Sequence, residues 1–412
     1  MIKILHINTT FGRAGAALSV EQLSEALNKT GEFRSDILVG YLFDEKYSGR
    51  VTRLGSRAEY YINAAIDRLS GWSAAWYPID RFNKIAKIVS NYDIVHLHNL
   101  HGYYFKLKYL DALKDKKIVW TIRDYWPLTG RCCFPLDCGG WEHGCGRCPH
   151  LDYYPATLAI DLSGHNYRLR REALNRLDDL HLVAISKSTE NMIKRAQIKY
   201  RSLEVIYNGL NSSDYYRQTD TDLLGQDKTG AKKKLLVMAA KMEKRKGRGI
   251  LEEVFKLMPG SMKSKYHIIL AGDMGQLLGD GCLEGFSCSC LGYLKDLGSI
   301  RSAYSSADLF INPTLSETFG RTTVESMLCG TPVVGLKNEI MEEILQDGDM
   351  LVQPGENAAK AMLAKIEEYF ARFAAQEKYS AGNVRQRALR FSVDNMLNKY
   401  KLLYENIMGK NV

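Results

Sequence analysis

Short apolar runs recur along this 412-residue chain, each followed by a helical stretch, and the series runs out and then begins again. That rhythm restricts the fold more than any other feature. "IKILHIN" (2–8) leads into a glycine loop and an amphipathic stretch that stops at Gly31. "SDILVGYL", "YDIVHLHN", "KIVWTIRD", "HLVAIS" and "LEVIYNG" (203–209) continue the series. After the polar segment "NSSDYYRQTDTDLLGQDKTGAKKK" come "KLLVMAA" (234–240), "YHIILAG" (266–272), "ADLFINP" (307–313) and "TPVVGL" (331–336). Strands that alternate with helices form parallel sheets covered on their faces by helices. The expected fold class is therefore α/β, with two doubly wound domains joined near residues 207–232. The length agrees, because one core rarely serves more than about 250–300 residues. The expected boundaries are 1–207, 208–390 and a terminal helix in 391–412. "SVDNMLNKYKLLYENIM" (392–408) puts Met396, Tyr400, Leu403, Tyr404 and Ile407 on one helical face, suited to packing back on the first domain. Two such domains facing one another place a ligand in the crevice at the carboxyl ends of their strands.

Composition excludes little. The chain is 45% apolar and 25% charged, as in ordinary globular proteins. No stretch approaches the roughly 18 uncharged apolar residues of a membrane span. "MIKILHINTT" is too short for a secretory segment and lacks a small-residue cleavage site, so a cytoplasmic location is expected. A formal charge of +9 admits nucleic acid, an anionic membrane surface or a phosphorylated small molecule as partner. The basic residues are spread over several clusters without a recognition motif, which speaks against nucleic acid. The aromatic and basic stretch "RLSGWSAAWYPIDRFNK" (68–84) suits a membrane or acceptor surface, and equally a plain amphipathic helix.

The chemistry concentrates in "LSETFGRTTVESMLCGTPVV" (315–334). It leaves the carboxyl end of a buried strand, turns at Gly320, and runs into a short helix that Gly330 caps and Pro332 ends. Helix amides at Gly320, Arg321 and Thr322, with the positive end of the dipole, suit a diphosphate. Glu325 lies a turn into the helix, where its carboxylate can accept two hydrogen bonds from ribose hydroxyls. Glu317 precedes the turn, toward a sugar. Taken alone, the two glutamates are as well read as a loop residue and a first-turn glutamate. Upstream, Lys241 and Lys246-Gly247 share one strand-to-helix loop, where two cations suit a leaving diphosphate.

Assembled, these residues resemble the retaining glycosyltransferases of the GT-B class, family 4, and among them the exopolysaccharide-assembling, colanic-acid type. The family pattern of cation, short loop and Lys-Gly appears as Lys241 and Lys246-Gly247, and its paired glutamates as Glu317 and Glu325. The "NG" closing the first domain appears at Asn208-Gly209, the N-terminal glycine loop as "RAGAA" with Gly15, and a strand-end histidine as His98, between His96 and His101. "WTIRDYWPLTGRCC" through "GCGRCP" matches the subgroup's cysteine-rich insert (130–150). Three positions depart: Lys241 replaces an arginine, Arg123 replaces a histidine before Asp124, and Ala14 replaces a glycine. The resemblance implies a GT-B fold of two Rossmann-like domains facing across a cleft. It implies retaining sugar transfer from a UDP- or GDP-sugar to a lipid-linked glycan in surface polysaccharide synthesis, with peripheral contact to the inner membrane and no catalytic metal or other cofactor. It gives the catalytic roles to His98, Lys246, Glu317 and Asp124. Donor binding falls to Gly15, Asn208, Lys241, Lys246, Phe319, Gly320, Arg321, Thr322 and Glu325. A nucleotide-sugar epimerase of the same architecture is the alternative among enzymes, and a basic, zinc-containing nucleic-acid-binding protein the alternative outside them.

The insert "CCFPLDCGGWEHGCGRCPH" holds five cysteines. Cys145-x2-Cys148 has zinc-knuckle spacing, and Cys138 with Cys133 or Cys132 completes a tetrahedral set. The set carried forward is Cys133, Cys138, Cys145 and Cys148, for a structural zinc. Buried free thiols and a disulfide formed after lysis are the alternatives. Cys282, Cys288 and Cys290 form a second group on an expected loop, without an assigned role.

Overall fold

A computed structural model of the chain describes residues 1–409 except 13, 75, 159, 219–231 and 280, and omits the side chains of 14, 276 and 278. Most of the polar connector expected from the sequence therefore lies outside the described residues. The chain divides into two compact units, Met1–Gly209 with Val393–Val412, and Leu210–Ser392.

Among the described residues the first unit holds a seven-stranded sheet in the order β3-β2-β1-β4-β5-β6-β7. Its strands are β1 (Ile2–Asn8), β2 (Phe33–Val39), β3 (Thr52–Arg53), β4 (Ile94–Leu97), β5 (Lys117–Ile122), β6 (Leu180–Ala184) and β7 (Ser202–Val205). All pairings are parallel. Successive side chains of a strand point to opposite faces. Ile4, Ile94, Val119 and Val183 thus share one face with Leu23 and Leu27 of the Ala14–Lys29 helix. Met396, Tyr400, Leu403, Tyr404 and Ile407 of the Val393–Ile407 helix cover that same face. Leu5, Ile7, Val95, Trp120 and Leu182 face the other way. His6, His96 and Thr121 have the parity of the first set and come to lie beneath the Val393–Ile407 helix. Gly209, where the chain leaves this unit, has no room for a side chain: a Cβ there would lie 2.6 Å from Val393 Cα.

Among its described residues the second unit holds a six-stranded parallel sheet in the order β10-β9-β8-β11-β12-β13. Its strands are β8 (Lys233–Lys241), β9 (Tyr266–Asp273), β10 (Ser287–Gly292), β11 (Leu309–Asn312), β12 (Val333–Leu336) and β13 (Leu351–Val352). Leu235, Leu236, Ile268, Ile269, Phe310, Ile311, Val333 and Val334 are buried, so the central strands read as continuous apolar runs. Two strands of this sheet escaped the sequence reading, as did the two-residue β3 of the first. β10 is an edge strand of small, partly exposed residues, and it carries Cys288 and Cys290, which are therefore not on a loop. β13 is two residues long.

Candidate active site

In the second sheet the chain winds outward in both directions from the neighbours β8 and β11, so the loops after these strands leave the sheet side by side. This is the switch point at which doubly wound sheets bind ligands. After β8 the chain makes one tight turn, Lys244–Lys246, and reaches Gly247 at φ 78°. A Cβ on Gly247 would lie 2.0 Å from the Pro313 carbonyl oxygen, so only glycine lets the two loops press together. Leu315 N–H donates to Arg245 O at 2.9 Å, and Arg245 Nη1 donates to Ser316 O at 3.0 Å.

This stitching brings Lys246 Nζ directly onto Glu317 Oε1, with Arg245 Nη1 at 3.6 Å from the same oxygen. The three side chains are 15–19% exposed. Burial by itself raises the Glu317 carboxyl, but Lys246 and Arg245 outweigh it and hold the group below its ordinary range. Lys241 is exposed at the end of β8 and is not part of this contact. Arg245 belongs to the cluster although the sequence reading passed over it. Its position within "KMEKRKGR" was the only signal.

Gly320 sits at φ 71° ahead of the Arg321–Leu328 helix, with Thr323 and Val324 N–H donating back to its carbonyl at 3.0 and 3.3 Å. The amides of Gly320, Arg321 and Thr322 precede the first intrahelical bonds, as at any helix start. Phe319 is buried edge-on against Phe391, their centroids 5.6 Å apart. Glu325 is 7% exposed and is not an open carboxylate. Its Oε1 accepts from Arg321 Nε at 2.7 Å and Tyr215 OH at 2.9 Å, and its Oε2 accepts from Tyr304 OH at 3.1 Å. Of about four lone-pair positions on a carboxylate, these contacts occupy three. The paired ribose contact expected of Glu325 is corrected to at most one further bond while both tyrosines stay in place. Arg385 donates to the carbonyls of Tyr215, Leu328 and Ser212, fixing the Tyr215 segment to the end of the helix.

The first sheet has its own switch point between β1 and β4. There Thr9 Oγ1 donates to the carbonyls of Asn99 and His101 at 3.0 and 2.7 Å. The registered neighbours His6 and His96 pack with His98 into a fully buried cluster. Arg123 Nε donates to His98 Nδ1 at 3.1 Å. That nitrogen is therefore unprotonated, so His98 Nε2–H donates to His6 Nδ1 at 3.0 Å. The His6 proton then resides on Nε2, which has no partner among the described residues. His96 bonds Tyr404 OH and Thr121 Oγ1, both at 2.7 Å. Burial first, and Arg123 second, push His6 down to about 3, and burial holds His96 and His98 well below their ordinary value. The three rings lie within ligand reach of one metal ion. Their nitrogens are already occupied except for one, and a guanidinium stands beside them, so the set does not suit a cation.

These contacts correct the assignment of His98, which is 1% exposed and bonded through both nitrogens inside its own unit. The histidine nearer the surface is His101. Its Nε2 lies 2.7 Å from Asp124 Oδ2 and its Nδ1 lies 3.3 Å from Tyr154 OH, while Asp124 Oδ1 accepts from Trp126 N–H at 3.0 Å. Asn208 accepts from Arg123 Nη1 at 2.5 Å. Gly15 is exposed at φ 41°, and among the described residues no atom beyond its own stretch of chain lies within 4 Å of where a Cβ would be. In the cysteine-rich insert, Cys145 Sγ accepts from Gly130 N–H at 3.1 Å and Cys138 Sγ from Gly140 N–H at 3.4 Å, and among the described residues no three of the sulfurs of Cys133, Cys138, Cys145 and Cys148 lie within 4.8 Å of one another. Cys133 instead lies with His101 and Asp124, their ligand atoms within 4.8 Å of one another.

Two family models match the sequence, "Glycosyltransferase Family 4" over residues 13–214 and "Glycosyl transferases group 1" over residues 222–381. The chain carries a family 4 glycosyltransferase domain followed by a group 1 glycosyltransferase domain. The putative colanic acid biosynthesis glycosyl transferase WcaC of Escherichia coli K12 is 25% identical to this glycosyltransferase over 334 residues, 76% of each chain. The O-antigen chain mannosyltransferase B of Escherichia coli is 32% identical over 174 residues, 39% of this chain and 44% of the relative. Among solved structures, Anabaena HepE in complex with UDP and glucose superposes with a TM-score of 0.68 at 18% identity, over 98% of this chain and all of the other. WaaG, a glycosyltransferase involved in lipopolysaccharide biosynthesis, superposes with a TM-score of 0.66 at 12% identity, over 96% and 98%. The two parallel-sheet α/β domains have the GT-B fold.

Proposed function

We propose that this glycosyltransferase moves a hexose, with retention at the anomeric carbon, from a UDP- or GDP-sugar to a lipid-linked glycan in the synthesis of a bacterial surface polysaccharide. The observation that carries the reading is the contact of Lys246 with Glu317 at the switch point of the second sheet, beside the start of the Arg321–Leu328 helix. Lys246 is held there by its carboxylate partner, ready to meet the negative charge that builds on a leaving diphosphate. The amides of Gly320, Arg321 and Thr322 supply further donors for the phosphates, so no metal ion is required in that role. Glu317 orients the sugar, and Glu325 offers its one remaining acceptor position to the ribose. Lys241, at the end of β8, supplies a further cation to the donor from this unit, and Gly15 and Asn208 are proposed donor contacts of the first unit. Phe319 acts by positioning, since it anchors the turn that sets Gly320. Asp124 acts through His101, which it orients toward the acceptor hydroxyl, while the leaving phosphate takes that hydroxyl's proton in a front-face reaction.

The named relatives support a nucleotide-sugar donor and a glycan acceptor, since one is named a putative colanic acid biosynthesis glycosyl transferase, another an O-antigen chain mannosyltransferase, and HepE is in complex with UDP and glucose. Among the described residues no helix is long and apolar enough to cross a membrane. The exposed side chains of Leu69, Trp72, Trp76 and Ile79 support peripheral contact with the cytoplasmic face of the inner membrane.

Thermal shift with a panel of UDP- and GDP-sugars tests the donor class, because a ligand that binds only the native state raises its melting temperature. A panel that leaves the melting temperature unmoved overturns it. Lys246→Ala is expected to lower turnover about 100- to 1000-fold, and normal turnover in that variant removes Lys246 from the mechanism.

A further inference from the structure

Asp124 and His101 have a third neighbour that the proposed reaction does not use. A ring nitrogen of His101, a carboxylate oxygen of Asp124 and Cys133 Sγ all lie within 4.8 Å of one another. Three separate segments of the first unit bring them together, and each is fixed by contacts of its own. Thr9 Oγ1 donates to His101 O at 2.7 Å and holds the loop after β4. Asp124 lies just beyond β5, and its Oδ1 accepts from Trp126 N–H at 3.0 Å. Cys133 is stitched to both sides. Its carbonyl accepts from Tyr125 N–H at 2.9 Å, and its N–H donates to Tyr154 O at 3.4 Å. The side chains of His101 and Asp124 are only 11% and 9% exposed, and Cys133 is buried, so this is not a solvated surface cluster.

Imidazole nitrogen, carboxylate oxygen and thiolate sulfur are the three ligand types that proteins offer to Zn2+. The nitrogen that meets the carboxylate is His101 Nε2, 2.7 Å from Asp124 Oδ2. The other ring nitrogen, Nδ1, lies 3.3 Å from Tyr154 OH. A ligating imidazole is usually oriented by a hydrogen bond from its second N–H, and a ligating carboxylate by a bond to its second oxygen. Both bonds have their partners here, Tyr154 OH for the ring and Trp126 N–H for the carboxylate. We propose that His101 Nε2, Asp124 Oδ2 and Cys133 Sγ bind one zinc ion, with the fourth tetrahedral position open to water or an anion.

Binding releases one proton to solvent, from the Cys133 thiol, and moves the His101 proton from Nε2 to Nδ1, where it is donated to Tyr154 OH. One thiolate and one carboxylate then balance the two charges of the ion, so the partly buried centre carries no net charge. Tetrahedral bonds of about 2.0–2.3 Å put such ligand atoms about 3.3–3.6 Å apart. His101 Nε2 and Asp124 Oδ2 therefore part slightly, and the ion takes the place of the hydrogen bond between them. Cys133 Sγ, already within 4.8 Å, has little more than about 1 Å to close. Three protein ligands and an open position make this a different kind of site from the closed, all-cysteine one expected of the insert. The binding depends neither on the sugar donor nor on the transfer reaction.

The test is zinc binding by the full-length reduced protein, stripped with chelator and dialysed against zinc, beside His101→Gln and Cys133→Ser. The parent is expected to hold about one equivalent more than either variant. Because the measure is a difference, any zinc bound elsewhere in the chain cancels. Equal zinc in the parent and in His101→Gln overturns the proposal, and so does equal zinc in the parent and in Cys133→Ser. Should a variant fail to fold, the parent loaded with Co2+ decides. A thiolate charge-transfer band and a paramagnetically shifted ring N–H resonance assigned to His101 are expected together, and the absence of either overturns the proposal.

Discussion

Lowering the pH from about 7.5 to about 5 is expected to weaken the fold by roughly 2 kcal/mol through His6 alone. His6 is fully buried, and burial together with Arg123 pushes its proton affinity down to about 3, against 6.5 for the unfolded chain. Below 6.5 the unfolded chain takes up a proton that the native cluster refuses. The stability from the neutral ring is therefore complete above 6.5 and is lost as the pH falls toward 3. Each pH unit inside that window costs about 1.4 kcal/mol. His96 and His98 move in the same direction. Glu317 and Asp161, held below their ordinary range, add acid sensitivity of their own. A comparison between proteins removes that background. In His6→Gln the amide oxygen can still accept from His98 Nε2–H. Urea unfolding of both proteins at intervals from about pH 4.5 to 7 is expected to show about one fewer proton taken up by the variant. Equal slopes would mean that His6 titrates normally in the native protein, and the neutral relay from Arg123 through His98 to His6 would be wrong.

Gly247→Ala is expected to destabilise the protein by more than about 1–3 kcal/mol, since the new Cβ meets the Pro313 carbonyl in a left-handed backbone. A urea midpoint equal to that of the parent would refute the loop contact that presents Lys246. Tyr304→Phe leaves Glu325 Oε2 without its tyrosine donor and is expected to cost about 1–3 kcal/mol in thermal or urea melts, with no cost if that hydroxyl points elsewhere. Arg385→Met strips donors from three carbonyls and is expected to cost at least about 2 kcal/mol.

The central strands were legible because burial on both faces forces continuous apolar runs, as in β9 and β11. β10 was not, because an edge strand half open to solvent needs no such run and is built here from serine, cysteine and glycine around a single leucine. Glu317 and Lys246 were legible from the loop context of their motifs. Their direct contact was not, because it depends on Gly247 fitting against Pro313, residues 66 positions apart in the chain. His98 misled for a simpler reason. Strand parity shows which face a histidine joins, but not that a C-terminal helix and a neighbouring arginine close over that face. Tyr215 and Tyr304 reach Glu325 from separate parts of the chain, and no local pattern in the sequence points to either.

The Val393–Ile407 helix seals a sheet whose first strand begins at Ile2, although the whole of Leu210–Ser392 is inserted between them in the sequence. On the ribosome the inserted unit can therefore reach its final form while the earlier one still waits for a missing wall. Until that helix emerges, Ile4, Ile94, Val119 and the histidines beneath them face water, and a nascent chain paused before residue 393 is exposed to aggregation through that uncovered sheet.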